Sequence, residues 1–161
     1  MEKRIKLLGD CRYVFRKEIL QKVLLLFFIC GVNYSVHAQI DSIVGNWKTV
    51  DDKTDEVRAL VRIFKATNGL YYGKIEKMYK YVDAVCDKCD GNDKGKPIQG
   101  LMIIREMKVE NGVLKEGYVL DPESGKKYYG TISYDKSSQK LKLRGSIDKY
   151  GVLGRNQYWI R

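Results

Sequence analysis

Leu101-Met102-Ile103-Ile104-Arg105-Glu106-Met107-Lys108-Val109-Glu110, Asn111-Gly112, Val113-Leu114-Lys115-Glu116-Gly117-Tyr118-Val119-Leu120: this stretch decides the fold. Two runs rich in Val, Ile, Leu and Met flank an Asn-Gly pair. Both residues of that pair tolerate positive φ, and a two-residue turn that matches the twist of paired strands requires it. The stretch therefore reads as a β-hairpin.

The same pattern extends both ways. Downstream, Asp121-Pro122-Glu123-Ser124-Gly125 is a turn, with Pro and Gly where a tight reversal wants them. Strands follow over 127–134 and 140–147, joined by 135–139, and 156–161 closes the chain. Upstream, 44–50 is a short strand. Over 57–66, Val57, Ala59, Val61 and Ile63 alternate with Arg58, Leu60, Arg62 and Phe64, the period of a half-buried strand. Thr67-Asn68-Gly69 turns it into a strand over 70–79. Eight strands with short connections and no helical period predict a single antiparallel up-and-down β-barrel, which also removes exposed edges.

Only residues 80–100 resist this scheme. They form a long polar loop that holds Cys86 and Cys89, and loops of this length usually carry function. Tyr71-Tyr72-Gly73-Lys74-Ile75 echoes Tyr128-Tyr129-Gly130-Thr131-Ile132. Glycine within a strand permits a kink or a close approach, so Gly73, Gly117, Gly130 and Gly145 are expected to let a small sheet curve shut.

The N-terminus reads as an address. Lys3, Arg4, Lys6, Arg12, Arg16, Lys17 and Lys22 precede ten uncharged residues, 23–32, and then Val36-His37-Ala38. A basic region, an apolar stretch of about 7–15 residues and an A-x-A-like site define a secretory signal peptide, with cleavage expected between Ala38 and Gln39. A membrane span would need about 20 apolar residues. Cys30 is not a lipidation site, because Ile29 stands where such signals need a small residue. The expected domains are a leader over 1–38 and a barrel over 39–161, in a periplasmic or secreted protein with no membrane span.

Charge supports that division. The full chain of 161 residues has 30 basic and 20 acidic side chains, a net charge of +10. Residues 1–38 hold seven of the bases and three of the acids, which leaves 23 and 17, or +6, for the remainder. The remaining bases are interspersed with acids, as in Asp51-Asp52-Lys53-Thr54-Asp55-Glu56, so nothing argues for nucleic acid.

The chemistry that this composition leaves is narrow. His37 is the only histidine and falls in the leader, so Ser/His/Asp and Cys/His sets are excluded. No metal or cofactor is implied, and no catalytic residue is assigned. Cys86-Asp87-Lys88-Cys89 reads as a structural disulfide, as a close pair in an exported protein usually does; free thiols, or redox or metal work, are the alternatives. Its ring is small, so its stabilisation should fall below the roughly 3 kcal/mol expected of a 15-residue loop. Asp121 and Glu123 read as turn-formers and solvated charges. Lys140, Lys142 and Arg144 read as a water-facing strand surface. Trp47, near the start of the first strand, is expected to be capped by Arg155 from the last, a cation–π contact worth roughly 0.5–2 kcal/mol.

Taken in order, these residues carry a resemblance. Gly45-x-Trp47, Gly73-Lys74-Ile75 and Cys86-x-x-Cys89 are followed by Pro97-Ile98-x-Gly100-Leu101 and Asp121-Pro122-x-x-Gly125-Lys126-x-Tyr128-x-Gly130. Leu143-Arg144-Gly145 and Leu153-Gly154-Arg155-x-Gln157-x-Trp159 complete the series. From about Ile43 to Arg161 the chain resembles the bacterial exported proteins of the domain of unknown function 2147 family. That resemblance implies a small β-barrel similar to the lipocalins, and no established activity.

The expected function is therefore non-catalytic: binding of a small molecule or an envelope partner. The binding site is expected at the barrel mouth near the 80–100 loop, with Tyr79, Tyr81 and Trp47 as ligand contacts. A filled barrel serving as a structural or interaction protein of the envelope is the alternative. A carboxylate-based hydrolase comes third.

Overall fold

The computed structural model describes residues 40–161; the expected leader over 1–38, with the Ala38–Gln39 junction, lies outside the described residues. The strands in chain order are β1 (Gly45–Val50), β2 (Val57–Lys65), β3 (Tyr71–Met78), β4 (Met102–Glu110), β5 (Val113–Leu120), β6 (Lys127–Asp135), β7 (Lys140–Ser146) and β8 (Gly154–Trp159). Each pairs antiparallel with the next, in the order β1 to β8. The strand boundaries agree with the sequence reading to within two residues, because the turn chemistry is strong. Asn111 and Gly112 both adopt positive φ, 51° and 79°, as the hairpin turn demands.

The sheet curls until its two edges meet. The Lys48 N–H donates to the Ile160 carbonyl at 2.7 Å, and the Ile160 N–H donates back to the Lys48 carbonyl at 3.0 Å. This single antiparallel bridge nearly closes the barrel. Curvature has a visible cause in a row of glycines. Gly117 of β5 is the register partner of Gly130 in β6, which is in turn the partner of Gly145 in β7. A side chain at Gly117 would collide with the Arg105 carbonyl and with Met107 of β4. Its absence lets β4 and β5 approach closely, and the Met107 thioether occupies the space between them. Next to this row, Glu106 and Glu116 adopt φ of 60° and 59°. Left-handed residues of this kind bend a strand and increase its twist.

An up-and-down meander sends alternate connections to opposite ends. At one end lie the short β2–β3, β4–β5 and β6–β7 turns, together with helical residues 40–43 and the C-terminus. Trp47 is fully buried there, tilted against Tyr134 at 6.1 Å between ring centroids. Its Nε1–H donates to the Ile43 carbonyl at 2.8 Å. The Arg161 guanidinium lies 4.8 Å from the centre of the Trp47 ring and donates to the Ser42 carbonyl. This end is a floor. The longer β1–β2, β3–β4, β5–β6 and β7–β8 loops surround the other.

Candidate functional site

Above that floor the barrel holds a cavity of about 570 Å³. Ile75, Ile103, Val119 and Leu143, from four different strands, form apolar walls, with Ile98 of the β3–β4 loop closing one side. Ile75 and Leu143 are inward positions of strands whose side chains alternate in and out, whereas the adjacent pairs Ile103–Ile104 and Val119–Leu120 are buried together, so the lining is not set by alternation alone. Trp159 of β8 is also part of the wall and is 2% exposed. Its Nε1–H has no acceptor among the described residues. A buried donor without a partner costs about 1–3 kcal/mol.

Charge gathers at the opening. Arg58 donates to Asp51 at 2.6 Å, and Arg155 pairs with Asp52 at 3.2 Å across the β8–β1 seam. The backbone N–H of Lys53, then Arg58, then the N–H of Thr54 stabilise the ionised Asp51 carboxyl and hold its pKa at about 2. The same hydrogen bond raises Arg58 above its ordinary value. On the opposite lip, Asp121 accepts from the Glu123 N–H at 3.1 Å and from the Ser124 hydroxyl at 2.6 Å. This Asx geometry shapes the turn. Asp51, Asp52, Asp121 and Glu123 all line the cavity, against Arg58 and Arg155.

The β3–β4 loop is strapped down beside this opening. Cys86 and Cys89 form a disulfide, and both are buried. The Cys86 sulfur sits 3.2 Å from the Pro122 carbonyl of the β5–β6 turn. Gly125, at φ 73°, lies against the Lys88 carbonyl so closely that a Cβ would collide with it. Within the loop, a bridge pairs Val85 with Pro97, and Gln99 Oε1 accepts from the Met78 N–H at 3.0 Å. The strongest pin is Asp93, which is 7% exposed and accepts from Arg105 of β4 at 2.6 Å. That hydrogen bond from Arg105 holds the Asp93 carboxyl below its ordinary pKa.

The family model described as an uncharacterized protein conserved in bacteria, DUF2147, matches residues 45–161. The chain belongs to the DUF2147 family. Its barrel is also similar to a solved structure, protein HP1028 from Helicobacter pylori, which is described as belonging to the lipocalin family. The two superpose with a TM-score of 0.62 at 20% identity, over 73% of this chain and 81% of that one. At this identity the likeness shows a lipocalin-like fold. No curated protein matches the chain.

In this DUF2147 barrel the residues singled out from sequence are placed as follows. Cys86 and Cys89 are bonded to each other. Trp47 is capped by an arginine from the end of the chain, but the arginine is Arg161 and not Arg155. Arg155 is the second residue of β8, at the opening, whereas Trp47 lies at the floor, and the antiparallel seam keeps the two at opposite ends. Trp47 lines no part of the cavity. Tyr79 and Tyr81 stand at the opening, 41% and 69% exposed, outside the cavity lining. Tyr81 reaches the site only indirectly, with Arg58 at 5.6 Å from its ring centre. The lining includes Arg58, Asp51, Gln157 and Trp159, which the sequence reading passed over. Arg58 and Asp51 carried a faint signal, as opposite charges on either side of the β1–β2 turn. Asp93 carried none: one acid among several in a polar loop does not announce that it is buried.

Proposed function

We propose that this DUF2147 protein is an exported, non-catalytic carrier of a small molecule that has an apolar body and at least one polar group. The cavity supports this reading over the filled-barrel alternative. A volume of about 570 Å³ lies within the 300–1,000 Å³ typical of small-molecule sites, which are mostly apolar with a few placed polar groups. The Trp159 Nε1–H supplies a donor for the bound molecule or for ordered water. Export is supported by the basic and apolar leader and by the Cys86–Cys89 disulfide, since such bonds persist in oxidising compartments.

Two measurements test the reading. Native mass spectrometry of protein taken from its own envelope is expected to show a co-purifying small mass. The uncharged fluorophore N-phenyl-1-naphthylamine is expected to bind with energy transfer from tryptophan. Trp47 and Trp159 are the two tryptophans, so Trp159→Phe should remove most of that transfer. Ile103→Trp, which would fill the cavity, should abolish binding. Unchanged binding in Ile103→Trp would place the probe elsewhere and refute the carrier reading.

A further inference from the structure

We infer that the ligand meets this cavity through an uncharged hydrogen-bond acceptor, a carbonyl oxygen, because the two buried polar groups left without partners there are both donors. The inference rests on the carrier reading and adds the chemistry of the ligand's polar group to it.

The donors come from the two strands that flank β1. Trp159 of β8 is 2% exposed, and its Nε1–H has no acceptor among the described residues. On β2 the Nε–H of Arg58 is likewise buried without an acceptor, although the same guanidinium donates from Nη2 to Asp51 at 2.6 Å. Both residues line the cavity, and so does Thr49 of β1 between them. The register partner of Thr49 is Ala59 on one side, and on the other its neighbour Lys48 bridges to Ile160 across the seam. The Thr49 Oγ1 accepts from the Ala59 N–H at 3.1 Å, which leaves its own proton for a further bond. Among the described residues no buried side-chain oxygen is left in the condition of these two N–H groups.

That imbalance selects the occupant. Folded proteins pair nearly all of their buried polar groups, so two orphans of one kind define what a bound molecule must supply. A ligand that brings another donor leaves both unpaired. One that brings an acceptor completes them.

Charge sets the second requirement. Arg58 is balanced by Asp51 in contact and by the charge of Glu123, and Arg155 is paired with Asp52. The lining carries four carboxylates against these two guanidiniums, so an anionic head would meet repulsion with no unbalanced cation to offset it. Trp159 is a neutral donor in a largely apolar wall, where burying an ion is costly. A ketone or ester carbonyl on an apolar body meets both requirements.

The test uses four competitors built on one phenyl-and-five-carbon skeleton: valerophenone, pentylbenzene, 5-phenylpentanoate and 5-phenylpentylammonium. Each displaces N-phenyl-1-naphthylamine from the purified protein, with the probe excited directly so that no tryptophan is needed for the signal. Valerophenone should act at roughly one-tenth the concentration that either ion needs. Trp159→Phe keeps an aromatic wall and removes the donor, so valerophenone should weaken about tenfold relative to pentylbenzene, the loss expected of one buried hydrogen bond. Arg58→Lys keeps a cation beside Asp51 but has no Nε, and the same ratio should fall about threefold. Urea unfolding checks that both variants are folded; Trp159→Phe breaks no hydrogen bond of its indole within the described residues. A valerophenone-to-pentylbenzene ratio that neither substitution moves would overturn the inference, assign the donors to ordered water, and leave the carrier reading standing. Tighter displacement by either ion than by valerophenone would also overturn the uncharged acceptor. Failure of the probe and all four competitors to bind would remove the carrier reading and the inference together.

Discussion

The two ends of this barrel are built on opposite principles. At the floor, short turns bring Trp47, Tyr134 and Ile43 into contact, and Arg161 covers the indole face. The Trp47 Nε1–H and the Arg161 guanidinium both donate to backbone carbonyls there. At the opening, longer loops carry ion pairs, a strapped cysteine loop and most of the exposed large apolar side chains: Tyr81, Val82, Ile147, Tyr150, Val152 and Leu153 all lie there. The β7–β8 loop is organised around Asp148, which accepts from the N–H groups of Tyr150, Val152 and Leu153. Arg144 donates to the Gly151 and Val152 carbonyls of the same loop. The floor invests its contacts in stability. The opening invests its contacts in holding a shape around space, which is what a ligand site requires.

That contrast can be broken by experiment, and the largest effect should come from the floor. Trp47→Ala removes a fully buried indole and should cost roughly 3–5 kcal/mol in urea unfolding. At temperatures where the variant stays folded, probe binding should persist. Loss of binding in folded Trp47→Ala protein would show that the two ends are not independent.

Asp93→Asn breaks the pin between the β3–β4 loop and β4 and leaves Arg105 without its carboxylate. A loss of about 2–4 kcal/mol is expected, because one member of a largely buried pair is left uncompensated. Hydrogen exchange should rise selectively over 84–101. Uniform change across all eight strands would deny the loop its separate status.

Replacing the disulfide, as Cys86→Ala with Cys89→Ala, should cost less, about 2 kcal/mol, since the bridge closes a ring only three residues in span. Its effect should appear more clearly in ligand release rate than in unfolding, because the loop supplies Ile98 to the cavity wall.

The smallest effect is in pH. The folded Asp51 pKa is about 2, below the ordinary carboxylate value of 3.8. Its contribution is therefore fully present above about pH 4 and is lost as the pH falls through 2. Asp51→Asn should flatten the acid limb of a pH–stability curve and leave the curve at pH 7 with nearly the same shape. An unchanged acid limb would show that the Arg58–Asp51 pair at the opening has no thermodynamic weight.

Much of the architecture was legible residue by residue. Asn111-Gly112, Thr67-Asn68-Gly69 and Asp121-Pro122-Glu123-Ser124-Gly125 are strong turn signals, and the alternation in 57–66 assigns Ala59, Val61 and Ile63 to the interior. The internal echo also held its meaning: Gly73 and Gly130 are both buried, as are Ile75 and Ile132. The site was less legible. Tyr79 and Tyr81 were credible as ligand contacts because aromatic side chains often line cavities, yet they stand just beyond the end of β3, where alternation no longer governs direction.

Local chemistry along the chain determined the strands, their order and their inward faces, since turn conformations and period-2 alternation depend only on neighbouring residues. Arg155 and Arg161 mark where that ends. They share one face of the last segment by alternation, and nothing local says which of them meets Trp47. Pairing of Lys48 with Ile160 across the seam decides it, sending Arg161 to the floor and Arg155 to the opening. The same closure brings Asp51, Arg58 and Glu123 around one mouth and leaves the volume beneath them. Register between distant segments is a property of the closed sheet, so only the tertiary structure could settle where the site lies.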